Sequence, residues 1–208
     1  MARLFLVRHG VTDQNTTHKF LGQTDAELSE EGFRQVQKLR DRMVKEKFDV
    51  VYSSDLKRAM ATAEVISKGH NAAIISCPEL REINYGETEC LTYGEIKQKY
   101  PNLAEAINTL SPELSFPGGE SLQGFIERTL KFMDRLNQHA SQKKILIVSH
   151  GGPMRTLLCD LLGVSQSHWR TFRLDNASLS IVDTYSERAI LSLLNDTSHL
   201  KEGPSEEE

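Results

Sequence analysis

Five side chains in this sequence have the chemistry to handle a phosphoryl group, and each follows a short apolar run. Arg8 and His9 follow residues 4–7, Arg58 lies just past residues 50–52, Glu82 follows residues 72–77, and His150 ends residues 145–148. Two arginines and two histidines converging on one place make an anion site, because the guanidinium presents a planar fork of donors matched to phosphate oxygens. A neutral imidazole at His9 can attack phosphorus and split hydrolysis into two steps through a phosphohistidine. A carboxylic acid at Glu82 can protonate the departing alkoxide and then take a proton from the attacking water. Singly, each residue has an ordinary structural reading as a turn histidine, a solvated arginine or a loop carboxylate. Their joint placement at successive strand ends favours function. This chemistry needs no metal, and no Asp/His cluster stands at metal-ligand spacing, so none is expected.

For those ends to meet, the apolar runs must be strands of one sheet. Residues 4–7, closed by Arg8-His9-Gly10, read as a strand buried on both faces. Ser29 followed by Glu30 and Glu31 starts a helix with acidic groups at its positive end, and Phe33, Val36, Leu39, Met43 and Val44 give it one apolar stripe. Residues 50–52 are a second strand, followed by a helix that turns Leu56, Met60, Ala63 and Ile66 inward and stops at Gly69. Residues 72–77 form a third strand, closed by Pro78. Thr92 with Glu95 forms a capping box for a short helix ending before Pro101, and Pro112 with the run Phe116-Pro117-Gly118-Gly119 marks a loop. From Ser121, the residues Leu122, Phe125, Ile126, Leu130, Met133 and Leu136 trace one long amphipathic helix. Residues 145–148 are a fourth strand feeding a helix through Leu162, and residues 179–182 and 190–194 form a final strand pair. Strands alternating with helices predict an α/β fold, one domain over residues 1–200 with a polar tail at 201–208. Ligands bind outside the carboxyl ends of the strands in such sheets, where the five residues fall.

Composition narrows the classes further. The 208 residues carry 25 Lys and Arg against 29 Asp and Glu, a formal charge of −4, which argues against nucleic-acid binding driven by bulk charge. No apolar run approaches the roughly 20 residues of a membrane span, and the N-terminal stretch is too short for a signal peptide. Cys77, Cys90 and Cys159 are odd in number and widely spaced, the pattern of reduced thiols in a cytoplasmic protein.

The ordered set of motifs resembles the histidine phosphatase superfamily, also called the phosphoglycerate mutase-like family. Leu6-Val7-Arg8-His9-Gly10-Val11-Thr12 with Asn15 is similar to its signature, and the resemblance runs on through Gly22 to Gly32, Ser53 to Thr62, Leu80 to Gly86, Pro117-Gly118-Gly119-Glu120-Ser121, and Val148-Ser149-His150-Gly151-Gly152. It implies a three-layer α/β/α sandwich with a mainly parallel central sheet, no metal and no organic cofactor. It also implies His9 as the phosphorylated nucleophile, Arg8, Arg58 and His150 around the phosphoryl oxygens, Glu82 as acid and base, and contacts to phosphate from the Asn15 side chain and the Gly151 amide. Two departures stand out. Leu21, before Gly22, replaces a polar residue of the family, with Gln23 expected to compensate, and Thr88-Glu89-Cys90 replaces a Trp-Glu-Gly run.

The resemblance spans mutases, hydrolases and relatives without activity. The mutases of the family are longer, with an insertion carrying basic residues for the substrate carboxylate, whereas residues 87–116 here hold only Lys97 and Lys99 as basic groups and no paired arginines, so a hydrolase is favoured over a mutase. The complete set of His9, Arg8, Arg58, His150 and Glu82 favours retained catalysis over a non-catalytic phosphate-binding module. The expected partner is a small phosphorylated metabolite, with α-ribazole-5′-phosphate the first specific candidate and phosphoserine or a broad range of esters the alternative. Phe20, Leu21, Tyr85, Tyr93 and Phe116 are candidates to line the substrate side, which would suit a bulky or nucleotide-like ester. Neither nucleic acid nor a membrane is an expected partner, and the chain is expected to be a monomer or homodimer.

Overall fold

The computed structural model describes residues 2–139 and 143–201. Six strands form one sheet: β1 (Ala2–Arg8), β2 (Val50–Ser53), β3 (Ile74–Ser76), β4 (Lys143–Ser149), β5 (Leu179–Thr184) and β6 (Ala189–Asp196), in the spatial order β3-β2-β4-β1-β5-β6. The first four are mutually parallel, and β5 and β6 add an antiparallel hairpin to the open side of β1. The central strands are continuous apolar runs because both of their faces are covered.

Alternation along those strands divides the core in two. Phe5 and Val7 of β1, with Leu146 and Val148 of β4, face α2 (Glu30–Arg42) and α3 (Lys57–Ser67). Leu4, Leu6, Ile145 and Ile147 face the other layer, where Phe132 and Leu136 of α7 (Phe132–Asn137) meet Met154, Leu157 and Leu158 of α8 (Gly151–Leu162). This is the three-layer sandwich expected. A smaller cluster around Ile83, Ile96, Phe116 and Phe125 joins α4 (Tyr93–Lys99), α5 (Pro101–Thr109) and α6 (Leu122–Leu130), roofing one side of the carboxyl rim. A single turn, α1 (Asp13–Thr16), follows β1 directly.

Several local expectations hold, and several do not. Ser29 caps α2 by accepting from the Gly32 amide, the Thr92–Glu95 capping box forms, and Gly69 takes the left-handed conformation just after α3. The α2 stripe is narrower than predicted: Phe33 and Val44 are exposed, Val44 because the helix has ended at Arg42. The long helix from Ser121 divides at Lys131 into α6 and α7. Pro101, read as a stop, is also the first residue of α5, a position where its missing N–H costs nothing. Cys77 and Cys159 are buried free thiols and Cys90 an exposed one. Among the described residues no helix is long and apolar enough to cross a membrane. The acidic tail beyond Lys201 lies outside the described residues.

Candidate active site

The carboxyl ends of the parallel strands open into a cleft of about 480 Å³ lined by Arg8, His9, Asn15, Leu21, Gly22, Arg58 and Glu82, together with His18, Lys19, Phe20, Tyr85 and Asn176. His9 extends the β1–β4 pairing by one bond, its amide donating to the Ser149 carbonyl at 3.0 Å. Its ring Nδ1 lies 2.7 Å from the Gly10 carbonyl. A carbonyl can only accept, so Nδ1 carries the proton and Nε2 keeps its lone pair free for the cleft. Burial, then the Arg58 and Arg8 charges, hold the imidazole pKa well below its ordinary value. His9 is therefore neutral and oriented, with an Nε2 lone pair that can act as a nucleophile.

Arg58, in the first turn of α3, is only 1% exposed. Its guanidinium donates to the Gly22 carbonyl at 2.7 Å, the Thr24 carbonyl at 2.8 Å and His150 Nδ1 at 3.2 Å. Burial brings its pKa down to about 10, with Glu82, Asp25 and Glu89 opposing, so it remains a cation at neutral pH. Arg8 donates to the Leu174 carbonyl at 2.6 Å, while its Nε is buried with no hydrogen-bond partner among the described residues. An unmatched donor of this kind costs about 1–3 kcal/mol in a protein interior and suits a ligand that brings its own acceptor. Burial lowers the Arg8 pKa, Glu82 opposes it, and Arg155 alongside lowers it further.

His150 packs against His9 with ring centroids 5.0 Å apart. Its Nδ1 accepts from Arg58, so its Nε2 carries the proton, donated to Ser54 Oγ at 2.9 Å. Burial first, then Arg58, His9 and Arg8, keep its pKa far down as well. Both ring nitrogens are thus engaged, and His150 braces Arg58 in this arrangement. Contact with a phosphoryl oxygen requires exchanging the Ser54 bond.

Glu82 approaches from the segment after β3. Its Oε1 accepts from the Ile83 amide at 3.0 Å and its Oε2 from the Gly152 amide at 3.2 Å, in the first turn of α8. A Cβ on Gly152 would run into Glu82 Oε1, so only glycine permits this approach. The other nearby carboxylates are committed elsewhere. Glu79 pairs with Arg135, Glu87 accepts from Tyr100, and Glu89 accepts from the Gln23 and Thr24 amides.

Asn15 Oδ1 accepts from the Thr12 amide and from Asn176 Nδ2, which turns its own NH2 to the cleft as a donor. Gly151 opens α8 beside the Arg8 guanidinium, where a first-turn amide has no intrahelical partner. Gly22 sits at φ +57°, and a side chain there would collide with Glu89. Leu21 lines the cleft as an apolar wall. Gln23 does not compensate for it: its Nε2 donates to the Glu82 carbonyl at 3.2 Å and its Oε1 accepts from Arg81, so it braces the segment that carries Glu82. Of the aromatic candidates, Phe20 and Tyr85 reach the cleft. Phe116 stands behind Tyr85, ring centroids 4.8 Å apart, and Tyr93 joins the packing around α4. Asn176, within the Asp175-Asn176-Ala177-Ser178 run, donates to the His9 carbonyl and was not predicted as a site residue. The signal for it is the run itself, which resembles a segment of several phosphatases of the family but points to no substrate.

An α/β sheet that gathers the buried Arg58 and the half-buried Arg8 around a neutral, free-faced histidine has the make-up of a phosphoryl-handling site. A family model described as the histidine phosphatase superfamily (branch 1) matches residues 4–197, and the chain belongs to that family. Among its relatives is phosphoserine phosphatase 1 of Hydrogenobacter thermophilus, 34% identical over 202 residues, 97% of this chain and 96% of that one. The crystal structure of the alpha-ribazole phosphatase from Shigella flexneri superposes with a TM-score of 0.88 at 30% identity, over 94% of this chain and 96% of that one. A phosphoserine phosphatase from Entamoeba histolytica, solved in complex with phosphoserine, gives 0.84 at 27% identity over 97% and 100%. The protein is a phosphatase of this family, in which phosphate passes through a phosphohistidine.

Proposed function

We propose that the protein hydrolyses a small phosphomonoester through a phosphoryl group carried on His9 Nε2. The observation that carries this reading is the His9 imidazole, held neutral by burial and two guanidinium groups, with Nδ1–H committed to the Gly10 carbonyl. Arg8, Arg58, the Asn15 amide and the Gly151 N–H surround the position the phosphoryl oxygens would take. In the first half-reaction the Nε2 lone pair forms the N–P bond as the ester P–O bond breaks, and Glu82, as the carboxylic acid, gives its proton to the departing alkoxide. In the second, Glu82 accepts a proton from water, the hydroxyl attacks phosphorus, the N–P bond breaks, and inorganic phosphate leaves. Charge stabilisation by the fixed arginines supplies most of the remaining catalysis.

Neither Lys97 nor Lys99, the basic groups of residues 87–116, lines the cleft, and Lys99 lies over the Tyr100 ring, which supports a hydrolase over a mutase; the basic side chains that line it beside the two arginines are His18 and Lys19. The walls formed by Phe20, Leu21 and Tyr85 support an ester with an apolar or aromatic organic part. α-Ribazole-5′-phosphate is the first specific substrate, phosphoserine the second, and the enzyme acts in the cytoplasm without metal or organic cofactor. The test is phosphate release from p-nitrophenyl phosphate, α-ribazole-5′-phosphate, phosphoserine and 3-phosphoglycerate, with chelator present and His9→Ala in parallel. Chelator-resistant release that depends on His9 is expected, fastest on the ribazole ester. Phosphoserine outrunning it would reverse the substrate order, and isomerisation of 3-phosphoglycerate without release would make the protein a mutase.

A further inference from the structure

Glu82 lies in a segment with little regular structure of its own: a 3-10 turn at Pro78–Leu80, then an extended stretch to a second such turn at Gly86–Thr88. A general acid must meet its leaving-group oxygen within hydrogen-bond reach, so something must hold this segment. The holding comes from outside it. Arg128 of α6 donates from one terminal nitrogen to the carbonyls of Glu79 at 2.9 Å and Arg81 at 3.0 Å, and from the other to the Glu82 carbonyl at 3.2 Å. The same guanidinium forms a two-pronged pair with Glu120, Nε to Oε1 at 2.7 Å and the second terminal nitrogen to Oε2 at 2.8 Å. Glu120 in turn grips the segment on its far side: its Oε2 accepts from the Asn84 amide at 2.9 Å, and its own amide donates to the Asn84 carbonyl at 2.9 Å.

The surroundings make this a rigid clamp. Both side chains are only about a fifth exposed, and the Arg128 guanidinium lies 5.4 Å from the centroid of the Phe125 ring, which is wholly buried. That ring also abuts Gly152, whose amide holds Glu82 Oε2. Burial pushes the Glu120 carboxyl up, but Arg128 and the Asn84 amide outweigh it and keep it ionised at neutral pH. The Pro117-Gly118-Gly119 run has its explanation here. The Pro117 carbonyl accepts from the Glu87 amide at 2.8 Å, and a Cβ on Gly119 would strike the Asn84 carbonyl. Neither Glu120 nor Arg128 lines the cleft.

We propose that Arg128 and Glu120 are positioning residues for the reaction, setting through the backbone of residues 79–84 where the Glu82 carboxyl meets the leaving-group oxygen. The proposal rests on the assignment of Glu82 as the acid, and its signature is selective. A departing p-nitrophenolate needs little protonation and an alkoxide needs it fully, so a displaced acid slows alkyl esters and spares aryl ones. A general loosening of the site would slow both.

The experiment compares kcat and KM on p-nitrophenyl phosphate and on the fastest alkyl ester of the panel, for Arg128→Met, the milder Glu120→Gln, Glu82→Gln, and Arg128→Met combined with Glu82→Gln. Thermal melts establish that each variant is folded. Arg128→Met is expected to lower kcat on the alkyl ester about 10- to 100-fold, the scale on which small misplacement acts, with KM nearly unchanged and the aryl ester within about threefold. Glu120→Gln should show the same selectivity at smaller size, Arg128→Lys should recover part of the loss, and the double variant should be little slower than Glu82→Gln alone. Equal losses on both esters, or losses that multiply in the double variant, would overturn the clamp while leaving Glu82 as the acid. A Glu82→Gln variant without leaving-group selectivity would remove both assignments together.

Discussion

Replacing Glu89 by Gln probes how Arg58, proposed above to grip the phosphoryl group, is held. The Glu89 carboxylate accepts from the Gln23 amide at 2.8 Å, the Thr24 amide at 2.8 Å and the Thr24 hydroxyl at 2.5 Å. The carbonyls of the loop so fixed, Gly22 and Thr24, are the acceptors that orient Arg58. Hydrogen bonds to a charged group contribute about 1.5–3 kcal/mol each, and an amide keeps only one accepting oxygen and brings an NH2 that faces donors. The Tyr85 amide, at 3.3 Å, is a fourth and longer partner, and losing one to two of these four interactions costs about 3 kcal/mol, after allowing for non-additivity. For a chain of this size that lowers Tm by about 6–12 °C. A loop that no longer fixes Arg58 should also cost about 10- to 100-fold in kcat/KM on every ester, since phosphoryl stabilisation does not depend on the leaving group. Differential scanning calorimetry and phosphate release measure the two effects. A variant that melts within a degree or two of the parent and retains its turnover would refute the account of Arg58.

Two further outcomes follow from the same geometry. His9 and His150 both resist protonation in the folded state, whereas the unfolded chain takes up protons near pH 6.5. Stability is therefore highest above that pH and falls below it, with a slope approaching about 2.7 kcal/mol per pH unit for two such groups. Carboxylates held below their ordinary range, such as Asp55 and Asp175, add to the loss only as the pH nears about 4. Urea unfolding at pH 7, 6 and 5 checks this, and a flat profile would mean that the imidazoles are not held neutral. Gly152→Ala drives a methyl group against the Glu82 carboxylate, and should cost about 1–3 kcal/mol in stability and slow alkyl esters more than aryl ones. Equal rates on both classes of ester would show that the Gly152 approach does not place the acid.

The strands and most helices were legible because their signals are local. Continuous apolar runs mark β1, β2 and β4, and Ser29 and Thr92 carry caps that can be read within a few residues. Pro101 shows the limit of such reading, since the same residue that ends α4 is favoured at the start of α5. Arg8, His9, Arg58, Glu82 and His150 could be found because a parallel sheet brings its carboxyl ends together. Their supports could not. Glu89, Glu120 and Arg128 hold backbone groups 36 to 66 residues away in the chain, and no spacing rule encodes those pairings. Gln23 illustrates the converse. Its type suggested a phosphate donor, but its side chain is drawn to the Glu82 carbonyl and Arg81.

The central claim is that phosphate passes through His9. Mixing enzyme with p-nitrophenyl phosphate, quenching in alkali, in which phosphohistidine survives, and taking the intact mass and a peptide map tests it directly. The account predicts a single phosphoryl adduct on the peptide containing His9, lost on acid treatment and absent from His9→Ala, which should be folded and inactive. An adduct elsewhere, or substantial turnover by His9→Ala, would contradict it.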